Sequence, residues 1–184
     1  MGKGIVDKLK QEYEIIDEWL GLEIHPEFPA EGVLLAKRFP GRNIHAMYEN
    51  FRQAGAPYGL TFCDRTLTSN SRQALQAAEF AREQGQDRAF HERMFRAYFE
   101  EGQDIGRLEV ILQVAADSGL DTGTLSAALK DGRYLDRLER VQLEAGQKRI
   151  ASVPTFIING SDRIVGAQPL SRFRSFLDHI AAVP

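Results

Sequence analysis

An α/β fold interrupted by a long helical insertion is predicted for this 184-residue chain, on three observations. Short runs rich in β-branched, aromatic or leucine residues lie near the two ends, at Ile15 to Ile24 and at Ser152 to Ile158 with Arg163 to Val165. Between them, residues from about 43 to 145 carry helical periodicity with few breaks. Helical patterns also open and close the chain. A chain of this length forms one compact unit with a sizeable core, and no repeat or low-complexity linker divides it. The helical stretch is therefore expected to be inserted into the α/β part, giving a discontinuous unit of residues 1–42 and 146–184 around an insertion of residues 43–145.

Each element has a local signal. Ile5, Val6, Leu9 and Tyr13 recur at helical spacing and predict a helix over residues 3–13. Ile15 to Ile24 reads as a strand that ends at His25-Pro26, because the residue before a proline is pushed out of the helical region. A short apolar patch over 33–40 stops at Pro40-Gly41, and residues 43–54 form a helix closed by Gly55-Ala56-Pro57. Asn70, with Gln73 three residues on, fits a capping box for a helix whose face is Leu75, Ala78 and Ala81 and which runs to Gly85. Helices over 88–100, 106–118 and 122–130 end at Gly102, Gly119 and Gly132, and another spans Tyr134 to Ala145. Asn159-Gly160 between the two terminal β-runs marks a hairpin turn. After Gly166, Pro169 sits in a first helical turn, and Phe173, Phe176, Leu177 and Ile180 form one buried face of a last helix.

Bulk properties exclude several function classes. Lys+Arg 23 against Asp+Glu 26, spread along the chain, leave no electrostatic footprint for nucleic acid or a membrane surface. There is no apolar run of spanning length and no signal-peptide core, so a cytoplasmic location is expected. Val6 stands where N-myristoylation requires Ser or Thr. Cys63 is the single cysteine, so it forms no internal disulfide; His25, His45, His91 and His179 lack the spacing of a metal or catalytic cluster. Cys63 reads as a half-buried structural residue, since no second thiol could resolve a mixed disulfide. Met94, Phe95, Tyr98 and Phe99 read as core on a helical stripe.

Three stretches and one short motif carry a resemblance: Gly2-Lys3; Glu23-Ile24-His25-Pro26 with Phe28-Pro29; Ala78 to Gly85 followed by Phe95-Arg96-Ala97-Tyr98-Phe99; and Ser152-Val153-Pro154-Thr155-Phe156. They are spread from residue 2 to residue 156, and over nearly its whole length the chain resembles the DsbA-like thioredoxin-fold oxidoreductases, and among them the FrnE type. The resemblance implies a thioredoxin-like unit with an inserted helical domain, a cis Val153-Pro154 bond, and substrate docking on Val153, Pro154 and Thr155. A cis corner frees the backbone before the proline to pair with an extended substrate. It implies protein or peptide disulfides and thiols as partners, with a homodimer as a further expectation, and it calls for no cofactor.

In that family a strand and a Cys-Pro-X-Cys segment come just before the first helix, whose N-terminus stabilises the thiolate. Here Met1-Gly2-Lys3-Gly4 resembles the tail of such a segment, which places Gly2 and Lys3 next to the missing dithiol and leaves the chain with no catalytic residue. The expectation is an N-terminally truncated sequence with its first strand absent and an altered or shared sheet edge. Two alternatives stay open. The hydroxychromene-carboxylate isomerase and kappa glutathione transferase group, which uses serine and glutathione, is similar at the Asn70-Ser71 helix start. The other is a peptide-binding module without chemistry.

Overall fold

The computed structural model describes residues 1–181. α1 (Gly2–Leu9) is followed by a turn in which the Tyr13 N–H reaches the Leu9 carbonyl, so the regular helix is shorter than its apolar spacing suggests. β1 (Val33–Leu34) pairs antiparallel with β2 (Leu67–Thr68), and between them lie α2 (Leu35–Arg38), α3 (Ile44–Gly55) and a 3-10 turn at Ala56–Tyr58. The Asn43 side chain caps α3 by accepting from the Ala46 N–H. Then come α4 (Arg72–Glu83), α5 (Asp87–Phe95) passing into a π turn at Arg96–Glu100, α6 (Leu108–Asp117), α7 (Thr122–Lys130) and α8 (Leu135–Gln147). The hairpin of β3 (Thr155–Ile158) and β4 (Asp162–Val165) leads to α9 (Leu170–Ala181).

Two apolar clusters hold these elements. Phe80, Phe90, Ile111, Val114 and Leu125 centre the larger one, built from α4 to α7 with Tyr134 before α8. The smaller joins Ile5 and Leu9 of α1 to Ile164 of β4 and Phe173 of α9, with Tyr13, Ile15, Phe156 and Ile158 packed against it. It is this second cluster that seats the hairpin on α1.

The expected strand at Ile15 to Ile24 is not one. Residues 13–20 alternate between partly buried and exposed, the period-2 signature of an extended chain, yet no ladder partner lies beside them among the described residues. Ile16 is fully exposed as a result. Among the described residues the sheets are two separate two-stranded ones, so the fold is more helical and poorer in strands than expected.

The start of α4 is also corrected. Its N-cap is Ser71, without a side-chain cap bond; Asn70 instead accepts from the Arg72 N–H and donates to the Phe28 carbonyl. The buried face of α4 is Ala74, Ala77, Phe80 and Ala81. Leu75 and Ala78 lie on the adjoining face, which meets the extended segment near Trp19 and Gly21.

Candidate substrate-docking site

The Val153–Pro154 peptide bond is cis. It lies against the start of α1: a Cβ built on Gly2 would stand 3.1 Å from Pro154 Cβ and 3.5 Å from Phe156 Cζ. Gly2 is buried here, and its missing side chain is what lets the proline ring pack on the helix. The first helical bond runs from the Ile5 N–H to the Met1 carbonyl, so the amides of Gly2, Lys3 and Gly4 precede the bonded ladder and give this end the positive pole of the helix.

Around the corner, the Pro154 carbonyl joins the ladder by accepting from the Gly166 N–H at 2.8 Å. The Thr155 hydroxyl donates to the Ser152 carbonyl at 2.7 Å and ties the turn from inside. Val153 is 57% exposed, and no backbone partner for its N–H or C=O occurs among the described residues. Gly2, Pro154, Val153 and Thr155 therefore form one corner, with an unpaired backbone unit at its lip.

Lys3 follows on the next residue and is held from two elements: its Nζ lies 2.5 Å from Asp7 of α1 and 3.5 Å from Glu92 of α5. Burial works against the ammonium, but the bond to Asp7 and the charges of Asp7 and Glu92 outweigh it and raise the pKa, so Lys3 stays cationic. Glu92 is a contributor the sequence did not signal, since its approach to α1 depends on how the helical part packs.

The remaining candidates lie elsewhere. Cys63 is half-buried, packs beside Gly102 and hydrogen-bonds through its N–H to the Phe99 carbonyl. Of the aromatic stripe, Met94 is buried, whereas Phe95, Tyr98 and Phe99 are half-buried. The Arg65 guanidinium lies 3.4 Å above the Tyr98 ring. His91 lines a cavity of ≈ 80 Å³ with Trp19, Glu79 and Arg82, and burial lowers its pKa below 6.5 against the opposing pull of Asp87 and Glu79. Among the described residues no His, Cys, Asp and Glu converge as a metal site.

The DSBA-like thioredoxin domain matches residues 2–178. The chain belongs to the DSBA-like thioredoxin family. Over 95 residues, 51% of this chain, it is 34% identical to the uncharacterised protein YwbO of Bacillus subtilis, and that match spans 47% of the relative's length. Among solved structures, the probable DsbA oxidoreductase SCO1869 of Streptomyces coelicolor superposes with a TM-score of 0.85 at 22% identity, covering 100% of this chain and 84% of that one. A 2-hydroxychromene-2-carboxylate isomerase superposes at 0.75 with 16% identity, covering 97% of this chain and 87% of that one. At these identities the structural likenesses establish a DsbA-like thioredoxin fold with a helical insertion. Within the described residues no helix is long and apolar enough to cross a membrane.

Proposed function

We propose that this chain is the substrate-docking body of a FrnE-type thiol–disulfide oxidoreductase, acting on protein or peptide disulfides. The observation that carries this is the corner itself, a cis Val153–Pro154 bond packed on the first turn of α1 with the Val153 backbone free. An extended substrate would pair with that backbone and bring its disulfide to the helix start, where the free amides and Lys3 favour a thiolate. The chemistry is two exchanges: a thiolate attacks one substrate sulfur and expels the other as thiolate, then a second cysteine attacks the mixed disulfide and releases the reduced substrate. The cysteine pair is left as a disulfide, which an external thiol such as dithiothreitol must reduce for turnover. The dithiol for these steps is not within these 184 residues, whose one cysteine is Cys63. It would have to be supplied next to Gly2.

Insulin reduction measured on this chain, and on a form extended by the in-frame upstream coding sequence, tests the proposal. The expected result is no turnover by the 184-residue chain and turnover by an extended form carrying Cys-X-X-Cys. Inactivity of both would favour a peptide-binding module. A lone serine in the extension would instead favour glutathione-dependent isomerisation, the reading that the fold shared with the chromene-carboxylate isomerase supports.

A further inference from the structure

The opposite edge of the hairpin, away from β3 and its proline corner, carries a groove of ≈ 370 Å³ between β4 and α9. Ile164, 4% exposed, and Phe176 give it an apolar floor. Arg172, Ser175, Phe176 and His179 line it at spacings of three and four residues, which is one face of α9. Arg163 closes the β4 side, and no carboxylate lines the groove among the described residues.

The backbone along this edge is open. In an antiparallel pair, bonded and non-bonded residue pairs alternate. The Gly166 N–H to Pro154 carbonyl bond sets the phase, so Ile164 and Asp162 bond across to Phe156 and Ile158 while Arg163 and Val165 turn their peptide groups outward. The Gln168 side chain takes the Val165 carbonyl. The N–H and C=O of Arg163 and the N–H of Val165 have no partner among the described residues. An unpaired strand edge beside an apolar floor and a helical wall is the arrangement that accepts a peptide by strand addition.

We infer that the β4–α9 groove binds an extended acidic peptide, one with a carboxylate on each side of an apolar residue along the same face. The charge argues for this occupant: a chain of net charge -3 lines this groove with the Arg172 guanidinium and the His179 ring, while Asp178 of α9 is not among the lining residues. The spacing agrees as well. Arg172 and His179 are seven residues apart on α9, roughly 10 Å at helical rise, while residues i and i+4 of a strand are roughly 13 Å apart and share a face. Carboxylates at i and i+4 thus reach the Arg172 guanidinium and an N–H of the His179 ring, the residue at i+2 lies over Phe176, and the peptide backbone exchanges bonds with Arg163. This site is separate from the proline corner and does not depend on its chemistry.

The probe is the peptide acetyl-Glu-Thr-Leu-Thr-Glu-amide, titrated into the isotope-labelled chain and followed by amide shifts in NMR. Shifts confined to β4 and α9 are expected, with affinity weakened roughly tenfold by Arg172→Gln or by replacing both peptide Glu residues with Gln. Arg163→Pro removes an outward N–H and no ladder bond, so it should abolish binding while Arg163→Ala retains it. Should Arg163→Pro disturb the fold, a peptide N-methylated at the leucine and its flanking residues makes the same test from the ligand side. Absence of shifts at saturating peptide would overturn the inference. So would affinities of the Gln or N-methylated peptides within about twofold of the parent.

Discussion

Gly4 lies in the first turns of α1, and alanine there opposes two effects of known size. Helix propensity favours Gly4→Ala by about 0.5–1 kcal/mol. Against this, the new Cβ would stand 2.6 Å from Tyr58 Cβ and 3.0 Å from Tyr58 Cγ. Neither partner is the tip of a flexible chain, since each Cβ is one bond from backbone, so α1 and the Ala56–Tyr58 turn would have to separate by about 1 Å to restore an ordinary contact of roughly 3.5–4 Å. Overpacking of this kind costs about 1–3 kcal/mol. The net is a loss of up to about 2.5 kcal/mol, centred at about 1.25 kcal/mol, or roughly 2–5 °C in Tm at the centre for a chain of this size. Gly146 in α8 supplies the internal control, because nothing lies within 4 Å of its added Cβ and only the propensity gain acts. Thermal and urea unfolding of both variants should therefore move in opposite directions, Gly4→Ala down and Gly146→Ala level or up. A Gly4→Ala protein as stable as the parent would refute the packing argument.

Other outcomes follow from the same geometry. His91 has its folded pKa lowered from 6.5 by burial, so below 6.5 the unfolded chain binds more protons than the folded one. Stability is then complete above that value and declines as pH falls through and below it; the urea midpoint should drop between about pH 7.5 and 5.5, and less so in His91→Phe. Trp19, the single tryptophan, meets the His91 ring edge-on at 6.5 Å, so its fluorescence should follow the same titration. The Glu23 carboxylate is 10% exposed and takes a bidentate bond from Arg72, which is 48% exposed. Arg72→Met strands a nearly buried carboxylate and should cost about 2–4 kcal/mol, whereas Glu23→Gln leaves a guanidinium that can turn to water and should cost about 1 kcal/mol. Equal losses in urea titrations would refute that asymmetry.

Much of this fold was legible in the sequence, for local reasons. The stops at Gly119 and Gly132 were readable because each takes a left-handed φ, +77° and +64°, that favours glycine. The Asn159-Gly160 turn was readable for the same reason, both residues having positive φ. The corner at Gly2 and Pro154 could be anticipated only through resemblance, since no periodicity brings residues 2 and 154 together. What failed to read depended on neighbours. The alternation from Tyr13 to Leu20 is present, but a strand also requires a partner, and composition cannot supply one. On α4, the stripe of Leu75 and Ala78 and that of Ala74 and Ala77 are equally periodic; which is buried depends on where the larger cluster lies. The π turn at Arg96–Glu100 has no residue-level marker at all.

The two clusters differ in what they support, and only the smaller one reaches the proline corner. Phe173 is 2% exposed and meets the Phe156 ring edge-on at 4.8 Å, while the far tip of Phe156 approaches Gly2. The corner is thus braced through Phe156 by a cluster with four buried members, Ile5, Leu9, Ile164 and Phe173. Phe173→Ala removes the largest of them, at a cost of about 3–5 kcal/mol. None of the larger cluster's side chains belongs to this set, so the loss should be local. Hydrogen exchange should then show protection falling in α1, the hairpin and α9, with α4, α6 and α7 keeping theirs. If protection fell uniformly along the chain, the corner would be supported by the whole molecule, and the separation of its brace from the helical core would be wrong.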